Sequence, residues 1–208
     1  TKNIQLVSYI SPDVPEYLIG DPNRIHQVLL NLLSNAVKFT PEGEITIKAT
    51  QSQVTLGTSK RFWITFTVSD SGIGISKSHQ QHLFKPFMQA DSSTTKKFGG
   101  SGLGLTLCKQ LASAMGGTID VYSKPDRGSE FTVTLPLRLS FSHEQPPWIR
   151  TPLPNKRIML IDDNKISAKA LHAQLEHWGL KIYTATHSNN AIKLLRKGRF
   201  DGIIVDNN

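Results

Sequence analysis

The chain has 208 residues, 38% of them hydrophobic, with 15 glycines, so it is long enough for one large domain or one domain and part of another, with apolar material for a real core. Its longest uninterrupted apolar run, Ile158 to Ile161, is far short of the roughly 18 residues a bilayer helix needs, and no charged-then-apolar leader opens it, so neither a membrane span nor export is expected. The net charge of +8 is evenly spread, with 15 Lys/Arg against 11 Asp/Glu in residues 1–150 and 9 against 5 beyond, which lacks the basic stripe of a nucleic-acid binder; the lone cysteine, Cys108, excludes an intrachain disulfide or a cysteine-based zinc cage and suits the reducing cytoplasm.

A strand-like opening, IQLVSYI, precedes a long helix. Asp21 can cap it, Pro22 suits its first position, and Pro41 with Gly43 marks its stop. At about 100° per residue, Ile25, Val28, Leu29, Leu32, Ala36 and Phe39 form one apolar face. Asn31, Asn35 and Lys38, spaced four and three apart, form a second face about a quarter turn away, which predicts a half-buried polar stripe. Asn is a poor helix former, so two of them in mid-helix invite a use: an amide oxygen is a hard ligand suited to Mg²⁺, and a lysine can meet phosphates as a point charge. Taken by itself, the stripe also suits a solvated helix flank.

The strands ITIKAT and FWITFTV follow. In the second, Phe62, Ile64, Phe66 and Val68 alternate with Trp63, Thr65 and Thr67. It ends at DSGIGI, placing Asp70 at a strand exit. A carboxylate there can accept from the exocyclic amine of adenine, whereas guanine would oppose it with a carbonyl, so ATP is expected over GTP by about ten- to a hundredfold. Gly72 and Gly74 would let backbone approach a nucleotide, although D-S-G is also a common turn. A shorter helix, the segment LFKPF with Phe84 and Phe87 around Pro86, and a polar loop, QADSSTTKKFGG, come next. GGSGLGL, Gly99 to Leu105, then opens a helix, whose free N–H groups make an anion site. It is neither a Walker loop nor a dinucleotide fingerprint, and alone it reads equally as a flexible loop. The hairpin GTIDVYSKPDRGSEFTVTLPL closes this part.

In this order, N-x-x-x-N, D-S-G-I-G, L-F-K-P-F and G-G-S-G-L-G-L form a specific series. From about Asp21 to Leu135 the chain resembles the ATP-binding domain of sensor histidine kinases, with that family's asparagine box, first glycine box, phenylalanine box and second glycine box. The resemblance implies an α/β fold, a Bergerat-type sandwich in which helices cover a mixed sheet. It implies Mg²⁺ on Asn35, phosphates beside Asn31 and Lys38, adenine on Asp70, and an ATP lid over Gly99 to Gly104. The implied ATP-binding set is Asn31, Asn35, Lys38, Asp70, Gly72, Gly74, Phe87, Lys96, Gly100, Ser101, Gly102, Leu103 and Gly104. Ser71 and Ser101 stand where the family more often has Thr, Lys85 where it usually has an acid, and Lys96 where many relatives carry Arg; a lysine cannot make a bidentate phosphate fork.

Residues 139–155, LSFSHEQPPWIRTPLPN, read as a proline-rich linker between a catalytic domain at 1–138 and a second domain at 156–208. There RIMLIDD, a helix through Trp178, KIYTAT, a helix over AIKLLRK and DGIIVD alternate strand and helix. KRIMLIDDN and FDGIIVD resemble the first and third strands of a response-regulator receiver, a doubly wound, flavodoxin-like fold. The resemblance implies Mg²⁺ at Asp162 and Asp163 and a phosphorylatable Asp206, at the carboxyl ends of parallel strands. The later strands of such a domain would lie beyond Asn208, so a truncated half that is marginal by itself, poorly ordered or inactive, is expected.

Gyrase-type relatives carry Glu four residues before the metal-binding Asn, where it activates water; Asn31 stands there, and an amide takes no proton from water at neutral pH. Slow hydrolysis and transfer of the γ-phosphoryl group are therefore expected, in a hybrid histidine kinase. By resemblance the acceptor is a histidine on a helical-hairpin dimerisation domain, which would precede Thr1, with relay toward a receiver aspartate or a phosphotransfer domain. The chain by itself should bind Mg-ATP without autophosphorylation, as a cytoplasmic piece of a membrane-anchored parent. His143, beside Glu144 among prolines, reads as linker, and His79 and His82 as helix-surface residues without a third metal ligand. The rival is a degenerate domain that docks on a partner kinase without transfer.

Overall fold

The computed structural model describes residues 2–52, 61–86, 102–140 and 155–206. They fall into two compact units, Thr1–Val7 with Val14–Ser140, and Ser8–Asp13 with Phe141–Asn208.

The first unit is built on a six-stranded sheet, to which the first strand contributes Ile4–Val7. Its strands are β1 (Ile4–Ile10), β2 (Leu18–Ile19), β3 (Gly43–Ser52), β4 (Arg61–Asp70), β5 (Thr118–Ser123) and β6 (Ser129–Leu139), in the order β1-β3-β4-β6-β2 with β5 also on β6. One edge of β6 pairs antiparallel with the whole of β4; the other is shared between β5 at 129–134 and β2 at 138–139. The alternation read from FWITFTV holds: Ile64 and Val68 are buried, opposite Leu135 and Phe131 of β6. Between their positions, Thr65 and Thr134 pair through their hydroxyls at 3.1 Å.

Helices α1 (Pro22–Phe39), α2 (Lys77–Gln80) and α3 (Gly104–Ala114) complete the unit. Asp21 caps α1, accepting from Arg24 N at 3.1 Å, and Pro22 begins it. The helix stops at Thr40, in extended backbone before Pro41. Its predicted apolar face is the buried one, with Val28, Leu32 and Ala36 packed among Ile45, Ile64 and Val68 of the sheet and Cys108 and Ala112 of α3. The Cys108 thiol is fully enclosed, 3.8 Å from the Val28 carbonyl, and burial pushes its pKa up to about 11.

The opening residues do more than their composition suggests. Lys2 Nζ donates to the carbonyls of Val37 at 2.6 Å and of Lys38 and Thr40 at 3.0 Å, satisfying acceptors that a helix C-terminus leaves open.

The second unit has three parallel strands in the order β8-β7-β9, namely β7 (Arg157–Ile161), β8 (Lys181–Ala185) and β9 (Gly202–Val205). Helix α4 (Lys165–His177) follows β7 and α5 (Ser188–Lys197) follows β8, the alternation read from the sequence. Asn164 caps α4, its Oδ1 accepting from Ile166 N at 2.8 Å and Ser167 N at 2.9 Å. At the other end of the strands, Arg157 lies over the rings of Tyr183 and Phe200, at 5.0 and 5.5 Å. Asp201 is bonded by Arg157 N at 2.8 Å and Lys156 Nζ at 2.9 Å, and those bonds, the backbone one first, hold its carboxyl below the usual aspartate range.

Candidate functional site

Asn31, Asn35 and Lys38 lie along α1 as a half-buried stripe bordering the core. The stripe faces α3 at its N-terminal end: a Cβ on Gly104, the first residue of α3, would stand 3.5 Å from Asn31 Oδ1. Asn35 lies one turn further along α1, and the helix ends one turn later at Phe39. Lys38 Nζ lies 4.8 Å over the Phe39 ring.

The Phe39 carbonyl leads to the first glycine loop. It accepts from Ile73 N at 3.3 Å, and it blocks any side chain at Gly72, whose Cβ would collide with that oxygen and stand 2.9 Å from Asp70 Oδ1. Asp70 closes β4 as the alternation requires, opposite Ile45 on one side and Ser129 on the other. Its Oδ1 accepts from Gly72 N at 2.9 Å. Burial raises the Asp70 pKa, against the lowering effect of bonds from the backbone of Gly72 and Ser129. An acid kept half-desolvated after two backbone bonds has acceptor capacity left for a ligand.

The loop's far side is held by the turn joining β5 to β6. Gly74 has φ +67, and a Cβ there would overlap the Lys124 carbonyl, so only glycine fits. Asp126 N donates to Ile73 O at 2.8 Å, and Ile75 N to Ser123 Oγ at 2.8 Å. Asp70, Gly72 and Gly74 thus share one pinned loop, tied to the end of the helix that carries Asn31 and Asn35.

Of the expected lid, Gly102, Leu103 and Gly104 are described. Gly102 has φ +70, and Leu103, 42% exposed, precedes α3 without a side-chain cap. Phe87, Lys96, Gly100 and Ser101 lie outside the described residues, as do Gly99, His143 and Glu144. Phe84 packs against the core, and the Thr106 hydroxyl donates to its carbonyl at 3.4 Å. The reading of His79 and His82 as surface residues needs correction for His82. It lies in the turn after α2 and not on a helix, and its Nδ1 is buried without a partner among the described residues. His79 Nδ1 lies 3.0 Å from Ser76 Oγ.

The second unit holds a separate constellation. Asp162, Asp163 and Asp206 lie at the carboxyl ends of β7 and β9, and oxygens of the three come within 4.8 Å of one another. Asp162 is 4% exposed, with Oδ1 accepting from Asn164 N at 2.8 Å. Ile161, Thr186, His187 and Ser188 line the same open pocket, of about 300 Å³.

The profile of the histidine kinase-, DNA gyrase B- and HSP90-like ATPases matches residues 20–139, over half of the chain and all of the site carried by α1 and the glycine loop, but not the Asp162–Asp163–Asp206 cluster. The chain belongs to that family. Hybrid signal transduction histidine kinase K of Dictyostelium discoideum is 36% identical over 216 residues, which is 99% of this chain and 18% of that protein. Sensor protein GacS of Pseudomonas syringae pv. syringae is 37% identical over 191 residues, 92% of this chain and 21% of that protein. The crystal structure of full-length ShkA in complex with AMPPNP superposes with a TM-score of 0.67 at 28% identity, over 91% of this chain and 37% of that one. The chain therefore spans about a fifth of the length of the curated relatives named here, and its first unit has the family's α/β Bergerat-type ATPase fold. Among the described residues no helix is long and apolar enough to cross a membrane.

The donor set suits a magnesium nucleotide: an anionic acceptor with spare capacity at Asp70, neutral amide oxygens at Asn31 and Asn35, and a loop that excludes side chains at Gly72 and Gly74. The Lys2 cap and the Ser123 contacts were not anticipated, since both depend on segments distant in sequence.

Proposed function

We propose that residues 1–138 are the ATP-binding catalytic domain of a two-component hybrid histidine kinase, joined by the segment 139–155 to the beginning of a receiver at 156–208. One observation carries the reading: the half-buried Asp70 carboxylate, on a glycine loop that bonds the Phe39 carbonyl, closes against the same helix whose Asn31 meets the first residue of α3. Asp70 would accept from the adenine amine, with Gly72 and Gly74 admitting the base. Asn35 would hold Mg²⁺ through its amide oxygen, and Asn31 and Lys38 would sit beside the phosphates. Phe87, Lys96, Gly100, Ser101, Gly102, Leu103 and Gly104 would form the lid side. The ShkA structure with AMPPNP, an ATP analogue, supports the nucleotide class.

ATP supplies the γ-phosphoryl group for a histidine on a separate dimerisation domain; the name of the Dictyostelium discoideum relative, a hybrid signal transduction histidine kinase, supports histidine as the acceptor. Asn31 takes no proton from water, so it favours an added acceptor over hydrolysis. In the second unit, Asp162 and Asp163 would hold Mg²⁺ and Asp206 would take the relayed phosphoryl group; their convergence at the ends of parallel strands supports this. Calorimetric titration with Mg-ATP, followed by labelled ATP and a supplied histidine-bearing hairpin domain, is the test. Binding and transfer that both fall in Asn35→Asp and Asp70→Asn are expected. Transfer unchanged in the two variants would overturn the assignment, and no affinity down to millimolar ATP would favour a docking module.

A further inference from the structure

Two buried serines outside the expected ATP-binding set close the loop that presents Asp70. Ser123, the last residue of β5, is 6% exposed, and Ser129, the first of β6, is 9% exposed. Their hydroxyl oxygens lie 3.0 Å apart. Ser129 holds the start of the glycine loop, pairing with Asp70 across β4 and β6 where its backbone lowers the pKa of the Asp70 carboxyl. Ser123 holds the end of the loop, accepting from Ile75 N at 2.8 Å while donating to Gly128 O at 2.8 Å. Gln80, at the end of α2, fastens the same point from outside, its Nε2 donating to Ile75 O at 2.7 Å and Ser123 O at 2.9 Å.

We propose that the Ser123–Ser129 hydroxyl pair, braced by Gln80, is a positioning device that fixes the Asp70 carboxylate for the adenine amine, and so sets ATP-over-GTP discrimination. The inference rests on the ATP reading above. Each serine binds a different end of the loop, so their contact fixes the span between residues 70 and 75. A hydroxyl that accepts and donates in a buried site has little orientational freedom, and removing it strands Ile75 N–H and leaves Gly128 C=O only the longer bond from Lys124 N at 3.3 Å. The slackened loop would then cost the Asp70 hydrogen bond, which ATP makes and GTP does not.

The test is titration of the 208-residue chain with Mg-ATP and Mg-GTP, in Ser123→Ala, in Asp70→Asn and in the double variant. Ser123→Ala is expected to weaken ATP about five- to tenfold, with GTP unchanged. That loss should vanish in the Asp70→Asn background, because the serine acts through the acid. Equal losses for both nucleotides, or a Ser123→Ala effect that adds in full to that of Asp70→Asn, would show a general packing role and overturn the proposal. Should Ser123→Ala fail to fold, Gln80→Met decides by the same readouts, since it removes two donated bonds and touches neither serine hydroxyl. Asp70→Asn that leaves ATP affinity and the ATP:GTP ratio untouched would defeat the ATP reading itself. An effect of Asp70→Asn with none from Ser123→Ala or Gln80→Met would defeat only this inference.

Discussion

Lys2 Nζ lies 2.6 Å from the Val37 carbonyl, so the first described residue closes the end of the helix that carries Asn31, Asn35 and Lys38. A cation at a helix C-terminus contributes about 0.3–1 kcal/mol at the surface. Lys2→Met should lower the melting temperature by roughly 1–4 °C, and added salt should narrow the difference. Thermal unfolding at low and high ionic strength checks both.

Asp70 and Asp201 should respond to pH in opposite directions. Burial raises the folded-state pKa of Asp70 above its ordinary value of 3.8, so the native chain binds its proton more readily than the unfolded one, and the ionised acid costs stability as pH rises through the raised value. Asp70→Asn should therefore melt higher than the parent at neutral pH, with the gain fading as pH falls toward the ordinary aspartate range, while ATP affinity drops about ten- to a hundredfold. The backbone bond from Arg157 and the Lys156 bond lower the Asp201 pKa, so its contribution is present above 3.8 and is lost as pH falls through the lowered value. Asp201→Asn should melt lower at neutral pH and converge with the parent in acid. Melting curves from pH 3 to 8 separate the two.

Two of the glycines that meet other parts of the site, Gly74 and Gly104, should differ in tolerance. Gly74→Ala forces a side chain into left-handed backbone against the Lys124 carbonyl, which should cost at least about 1–2 kcal/mol and weaken nucleotide binding. Gly104→Ala meets Asn31 Oδ1 at ordinary contact distance and replaces a poor helix former, so stability should hold or rise by up to about 1 kcal/mol. Denaturant titration of both variants tests the contrast.

Asn35→Ala should leave the helix intact or slightly firmer, since alanine is the better helix former. It should remove the magnesium dependence of ATP affinity. Titration with and without Mg²⁺ measures this; a magnesium effect equal to that of the parent would remove Asn35 from the metal's ligands.

Much of this was legible wherever a local rule sufficed. Asp21 and Pro22 announced the start of α1, the spacing of Val28, Leu32 and Ala36 its buried face, and Ile64 and Val68 the inward face of β4, which in turn put Asp70 at a strand exit. What escaped depends on partners far along the chain. Leu18 and Ile19 are too short a strand to show a period, and pair only because β6 outruns β5. Lys2 became a cap through carbonyls 35 or more residues away. Nothing in the hairpin sequence marks Ser123 and Ser129 for the enclosure the fold gives them, and nothing in the spacing of His82 marks the turn after α2.

The enclosed thiol of Cys108 has a practical consequence. With no exposed surface and a pKa near 11, it offers an alkylating reagent almost no thiolate while the core around it is closed. Because it is the sole cysteine, the rate at which the unmodified chain takes up such a reagent reads out how often the nucleotide-binding unit opens, and slowing of that uptake by a bound ligand measures occupancy without an introduced label.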